Sequence, residues 1–160
     1  MTANAPILLK AGIVDVALGK NVRVVEPVNL YRCELGDDVF VGPFVEIQAG
    51  VKIGARTRVQ SHSFICELVT IGTDCFIAHG VMFINDRFEL GGPAGQRDLW
   101  RATEIGNHVS IGSNATILPV RICDNVVIGA GAVVSRSIDR PGIYAGNPAR
   151  YLRDLPARPR

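Results

Sequence analysis

Residues 35–83 divide into sixes as LGDDVF VGPFVE IQAGVK IGARTR VQSHSF ICELVT IGTDCF IAHGVM F. Every block opens on a large apolar residue: Leu35, Val41, Ile47, Ile53, Val59, Ile65, Ile71, Ile77 and Phe83. Four residues after each, the side chain is apolar or small, as at Val39, Val45, Val51, Thr57, Ser63, Val69, Cys75 and Val81. Helical spacing would recur at three and four, and a plain strand at two. A period of six with two inward positions instead describes a short flat strand followed by a corner. Gly follows the large residue at 36, 42, 54 and 72, where it is expected to ease an unusual corner conformation. Three sides close a triangular coil of 18 residues, and successive coils stack as parallel strands about 4.8 Å apart. Stacking lets each coil bury its apolar edge on the next.

The pattern extends in both directions. Downstream it resumes at Ile105, Ile111 and Ile117, then slips by one to Ile122, Ile128 and Val134. Upstream, Leu18 to Leu30 reads as an irregular first coil with a loose register. Regular coils are therefore expected over about 18–138 of a single domain spanning 1–160. The stretch of about 84–104, INDRFELGGPAGQRDLWRATE, interrupts the array as an inserted loop leaving at a corner. A loop of this length inside a compact array is a candidate functional element. From about 139 to 156 the period ends, and the chain is expected to cap the last coil, a short helix being one form the cap can take.

Composition narrows the function classes. Among 160 residues, 48% are hydrophobic and 20% charged, which fits a packed domain and excludes a disordered chain. A net charge of +2 gives no case for nucleic-acid binding. No segment approaches the roughly 18 apolar residues of a membrane span. Met1–Lys10 lacks the basic stretch of a signal peptide, so a cytoplasmic protein is expected. Cys33, Cys66, Cys75 and Cys123 form no CxxC pair and read as buried thiols of a reducing compartment. His62, His79 and His108 lie 17 and 29 residues apart, which does not fit a three-histidine zinc site, and no metal is expected.

The hexads, GAGAVV at 129–134 and AGNPAR at 145–150 resemble the hexapeptide-repeat acyltransferases. That resemblance implies an all-β, left-handed parallel β-helix, a handedness the period alone does not give. It also implies homotrimers that take acetyl-CoA in clefts between subunits. PFVEIQAGVKIG, VQSHSFICELVTIG and HGVMFIND more narrowly resemble N-acetyltransferases acting on dTDP- or UDP-linked 3-amino sugars. Two departures stand out: Ile117-Leu118-Pro119-Val120 lacks the Gly usual before the Val, and Cys123 replaces a commoner Gly.

Candidate chemistry follows from stacking. Glu67 and Asn85 lie 18 apart and share one corner, where Asp86 and Arg87 open the loop as a further ion pair. A carboxylate can hold an ammonium and accept its proton, and an Asn carbonyl can orient an amine. In the resembled family the Asn of the F-x-N stretch approaches the sugar amine, which assigns that role to Asn85. His62 and His79 occupy adjacent coils near one corner and are candidate bases; His108 reads as structural. Gln48, Gln60, Asp86 and Arg87 are candidate substrate contacts. Gly112, Ala130, Gly131, Arg136 and Arg150 are candidate CoA contacts, the arginines for its phosphates. Trp100 either shields the cleft or anchors the loop. Two rival readings remain: an O-acetyltransferase on a sugar or polysaccharide hydroxyl, and a non-catalytic nucleotide-sugar-binding or scaffold β-helix.

Overall fold

The computed structural model describes residue 7 and residues 11–156. It is an all-β, left-handed parallel β-helix of about seven coils. Three sheets form its faces. The first stacks Ile13–Val14, Asn29–Tyr31, Glu46–Ile47, Phe64–Ile65, Met82–Phe83, Thr116–Ile117 and Val133–Val134. The second runs from Ala17–Leu18 through Thr103–Ile105 to Arg121–Ile122, and the third from Arg23–Val24 to Gly142–Ala145. Equivalent hexad residues pair directly, as in Ile47 with Ile65, Ile53 with Ile71 and Val59 with Ile77. All nine large residues from Leu35 to Phe83 are buried, as are Ile105, Ile111, Ile117, Ile122, Ile128 and Val134. Each such side chain contributes roughly 1.5–3 kcal/mol of burial free energy.

The upstream coils are more regular than the sequence pattern suggested. Leu18, Val24 and Leu30 step by six, Ile13 pairs with Leu30, and Leu30 pairs with Ile47. The loose register is two corners that are each one residue short, from Ile13 to Leu18 and from Leu30 to Leu35. Both match the slip between Ile117 and Ile122, where the coil closes without a Gly: Leu118 N–H donates to Val134 O and Pro119 and Val120 are buried.

The corner glycines have a different cause from the one anticipated. Gly36, Gly42, Gly54 and Gly72 have no left-handed backbone. A Cβ at Gly54 would lie 2.5 Å from the Gly72 carbonyl carbon, and one at Gly36 or Gly42 2.8 Å from the next coil's amide nitrogen. Close approach of the stacked corner excludes a side chain there. The left-handed residue comes two positions later, at Asp38, Phe44, Arg56, His62, Asp74, His108 and Asn125 among others. Asp, Asn and His tolerate this conformation better than most residues, which accounts for His108 as a turn residue.

The C-terminal cap contains no helix. Gly142–Ala145 adds to the third face, and Arg150–Arg153 folds back antiparallel to it. Tyr151 packs edge-on against Tyr144, and its hydroxyl donates to Asp154 while Arg140 donates to the same carboxylate. The reversal at Gly146-Asn147-Pro148 pairs the chain with itself before a helical turn can form. Among the described residues no helix is long and apolar enough to cross a membrane.

Candidate active site

The edge between the first and second faces gathers polar side chains over four successive coils. Strands Phe64–Ile65 and Met82–Phe83 bring Glu67 and Asn85 together: Asn85 Nδ2 donates to the Glu67 carbonyl at 3.3 Å. Below them, the Glu67 amide donates to Gln48 Oε1 at 3.3 Å, and Gln48 Nε2 donates to Glu46 Oε1 at 3.0 Å. Asn29 Nδ2 donates to Glu46 Oε2 at 3.1 Å. Tyr31 joins this ladder, its hydroxyl pKa raised by burial and then by the Glu46 and Glu67 carboxylates. Glu67 is only 18% exposed at its side chain, more enclosed than an outward corner position suggests. Its Oε2 is fully buried and takes no hydrogen bond, although Arg97 Nη2 lies 2.7 Å away; the pair is close but poorly aligned. Asn29, Tyr31, Glu46 and Arg97 were not picked out from sequence. Asn29 and Tyr31 stack 17 residues below Glu46 and Gln48, a spacing visible only once the short corner is placed.

The inserted loop occupies 84–102, with its neck closed by Arg101 N–H donating to Asn85 O at 2.9 Å. Asp86 and Arg87 do not pair with each other. Asp86 accepts the Phe88 and Ala94 amides at 2.8 and 2.7 Å, and Arg87 donates to the Pro119 carbonyl. Both side chains hold the loop, Arg87 at the corner that lacks its Gly. Arg97 lies on a short 3-10 turn, Arg97–Leu99, which carries Trp100 with it through an N–H bond to Arg97 O at 3.1 Å.

His62, His79, Gln60, Gly112, Ala130 and Gly131 lie on the edge between the third and first faces. His62 is a left-handed corner residue whose ring packs 4.9 Å from Phe44, and His79 Nδ1 shares a 2.9 Å hydrogen bond with Ser61 Oγ. Gln60 starts the same corner, and Gly112, Ala130 and Gly131 continue that edge upward. His62 and His79 precede the first-face strands Phe64–Ile65 and Met82–Phe83, and Glu67 and Asn85 follow them, at the opposite edge of that face. The structure thus separates the histidines from Glu67 and Asn85 within one chain. Gly112 N–H and Gly131 N–H are spent on Ile128 O and Ser113 O, and a Cβ at Gly112 would lie 2.5 Å from Ala130 N. The result is a ridge without bulky side chains. Arg136 projects from the Glu67 edge near the last coil and Arg150 from the cap; both are exposed and among the described residues neither is ion-paired.

Residues 32–67 match the bacterial transferase hexapeptide (six repeats), and residues 103–136 match the hexapeptide repeat of succinyl-transferase. The chain belongs to the hexapeptide-repeat transferases. A bifunctional protein GlmU from Streptococcus uberis is 28% identical over 151 residues, covering 89% of this chain and 32% of the relative. The chain spans about a third or less of the length of the first such relatives it matches. A crystal structure of galactoside acetyltransferase in complex with coenzyme A superposes with a TM-score of 0.65 at 32% identity, over 75% of this chain and 64% of the other. The D94A mutant of AntD, an N-acyltransferase from Bacillus cereus crystallised with dTDP and coenzyme A, superposes with a TM-score of 0.76 over 86% of this chain and 83% of that one. At 24% identity that likeness shows the fold. In this hexapeptide-repeat chain the Glu67 edge offers an enclosed carboxylate, an amide whose Oδ1 is unbonded among the described residues, and a loop-borne cation above them.

Proposed function

We propose that this chain transfers an acetyl group from acetyl-CoA to the amine of a nucleotide-linked amino sugar, with a dTDP- or UDP-linked 3-amino sugar as acceptor. The observation that carries the reading is Asn85 stacked on the enclosed carboxylate of Glu67 beneath the inserted loop. Asn85 Oδ1 accepts an amine N–H and points the nitrogen lone pair at the thioester. The nitrogen attacks the carbonyl carbon, a C–N bond forms, and the C–S bond breaks with its electron pair leaving on the CoA sulfur. Before the attack Glu67 takes one proton from the ammonium, directly or through water, and the second leaves the nitrogen for the CoA sulfur as the C–S bond breaks. Gly112, Ala130 and Gly131 offer an edge smooth enough for an extended pantetheine arm, and Arg136 and Arg150 are unpaired cations for phosphate.

This edge and the Glu67 edge lie on opposite sides of the first face, so the reading assembles the site from two copies within a homotrimer. The faces differ in a way that favours this. The second face is a ladder of alternating charges, with Lys52–Glu34 at 3.1 Å and Arg121–Glu104 at 3.3 Å. The other two expose Met82 and Phe76 at 42% and 40%. Chromatographic sizing coupled to light scattering tests the assembly; a monomer counts against a shared site.

The decisive experiment incubates the protein with acetyl-CoA and a panel of dTDP- and UDP-linked 3-amino and 4-amino sugars, following thiol release and product mass. Release with one amino sugar, giving a product heavier by one acetyl in place of hydrogen, establishes the reaction. A second reading, O-acetylation of a sugar hydroxyl, is favoured by the likeness to galactoside acetyltransferase and by the Ser61–His79 pair. A hydroxyl nucleophile needs a base, so activity lost in both His62→Ala and His79→Ala supports it, and activity retained in both supports the amine. A non-catalytic scaffold predicts no thermal stabilisation by CoA.

A further inference from the structure

We propose that the Glu67–Arg97 ion pair is a latch that the acceptor's own ammonium displaces, which makes Arg97 a specificity-determining residue favouring amines over hydroxyls. The inference rests on the acetyltransferase reading and names what that site selects.

Three features of the pair support displacement. Arg97 is 63% exposed at its side chain while Glu67 is 18% exposed, so the cation enters from outside onto an enclosed carboxylate. The contact is short yet poorly aligned: Glu67 Oε2 is buried and takes no hydrogen bond, which leaves its lone pairs unsatisfied. A buried carboxylate without a hydrogen bond is costly, so a better-shaped cation is favoured. A planar guanidinium on a tethered turn presents its donors in a fixed fork, whereas an ammonium is compact and presents three donors at tetrahedral angles. Its donors suit the two acceptors this corner leaves open among the described residues, Glu67 Oε2 and Asn85 Oδ1. A hydroxyl brings no charge, and displacing Arg97 with it would strand the carboxylate.

The loop is built so that the latch can open alone. Ala94 is tied to Asp86, and Arg101 is tied to Asn85 at the neck. Between these anchors lies 95–100, whose 3-10 turn is preceded by Gln96 with no side-chain cap and contains no buried residue. Opening moves Arg97 and Trp100 and costs the 3.3 Å bond from Arg101 Nη1 to Asp98 O, while the Asp86 and Asn85 anchors stay in place. The two carboxylates of the ladder, Glu46 and Glu67, differ in this respect: Glu46 is bonded by Asn29 and Gln48 from within its own edge, and Glu67 alone takes a cation from the loop.

Trp100 is the chain's single tryptophan and moves with Arg97, so its fluorescence reports the latch without any turnover. The full chain is titrated, without acetyl-CoA, with a dTDP-linked 3-amino sugar and with the analogue carrying hydroxyl in place of the amine. Expected in the wild type is a saturable emission change with the amine and none with the hydroxyl analogue. Arg97→Gln and Glu67→Gln should show the amine-bound emission at rest, and Arg97→Gln should bind the amine about fivefold more tightly, since an ion pair of this exposure competes by about that factor. Resting spectra of both variants like the wild type, or an equal response to the hydroxyl analogue, overturn the latch. Acetyl-CoA is then added to the same mixtures. Acetyl transfer without an emission change refutes the latch and leaves the acetyltransferase standing. An emission change without transfer supports the latch and counts against the acetyltransferase. Neither signal removes both.

Discussion

Replacing Thr57 by Val should destabilise the protein more than replacing it by Ser, the reverse of what hydrophobicity alone predicts. Thr57 is fully buried, and its hydroxyl bridges two coils: Oγ1 donates to Gly72 O at 2.8 Å and accepts Cys75 N–H at 3.0 Å. Val keeps the volume but orphans both backbone groups. At about 1–3 kcal/mol for each unsatisfied buried group, the loss is roughly 2–6 kcal/mol. For a chain of this length each kcal/mol shifts Tm by about 2–4 °C, so Thr57→Val should melt roughly 4–24 °C lower. Thr57→Ser keeps both bonds and loses one methyl, about 1 kcal/mol, or roughly 2–4 °C. Far-UV circular dichroism of the wild type and both variants at one protein concentration, by heat and by urea, measures the order. A Thr57→Val protein as stable as Thr57→Ser would refute the claim that these hydroxyls are structural bonds between coils. Ser63 offers an internal repeat, donating to Ala78 O at 2.9 Å and accepting Val81 N–H at 3.3 Å, so Ser63→Ala should lose stability by the same route.

Asp86→Ala removes the acceptor that holds the Phe88 and Ala94 amides, and should speed tryptic cleavage at Arg97 and Arg101 while leaving the melting temperature nearly unchanged, because the loop sits outside the core. Burial pushes the Cys66 thiol up to about 12 and Cys33 up to about 11; at mildly alkaline pH a thiol reagent should modify half-buried Cys123 first and count all four cysteines only after denaturation. Asp154 is held below the ordinary carboxylate range by the Tyr151 hydroxyl and by Arg140. Its contribution to cap stability is therefore present above the unfolded value, about 4, and lost as pH falls through the lower folded value. The Tyr151 ring signals followed by NMR through acid titration should report that loss, and Asp154→Asn should abolish it.

The sequence made the interior legible and left the edges obscure, for a physical reason. Ile47, Ile53 and Val59 face a shared interior, so each must be apolar and the spacing repeats. A corner needs only to reverse the chain, and different residues do it equally well: Asp38, Phe44, Arg56 and His62 all hold the same left-handed backbone. The Glu67–Asn85 stacking was readable because both lie on regular coils. Arg97 was not, since its reach to Glu67 depends on how the loop folds back. Asp86 and Arg87 looked available in sequence, but their side chains close the loop on backbone groups that no pattern of residues identifies.

Irregularity in this β-helix is confined to one edge. Between the second and third faces the steps 18 to 24, 35 to 41, 53 to 59, 71 to 77, 105 to 111 and 122 to 128 are all six residues. The same holds from the third face to the first. From the first face to the second, Leu30 to Leu35 and Ile117 to Ile122 take five, Val134 to Ile138 takes four, and Phe83 to Ile105 carries the whole insertion. The regular edge between the second and third faces is laced by side-chain bonds between coils. Asp37 and Asp124 accept amides of Lys20 and Asn107, Asn107 accepts the Thr73 amide, and Arg56 grips Asp74. A change of corner length there would break several bonds in coils above and below. On the Glu67 edge short corners coexist with bonds between coils, Asn29 to Glu46 below Asn85 and the Arg121 amide to Ser137 Oγ above it. In this chain the interior and two edges keep a constant step while the third varies, and the enclosed carboxylate, the amide oxygen unbonded among the described residues and the loop-borne arginine all stand on that third edge.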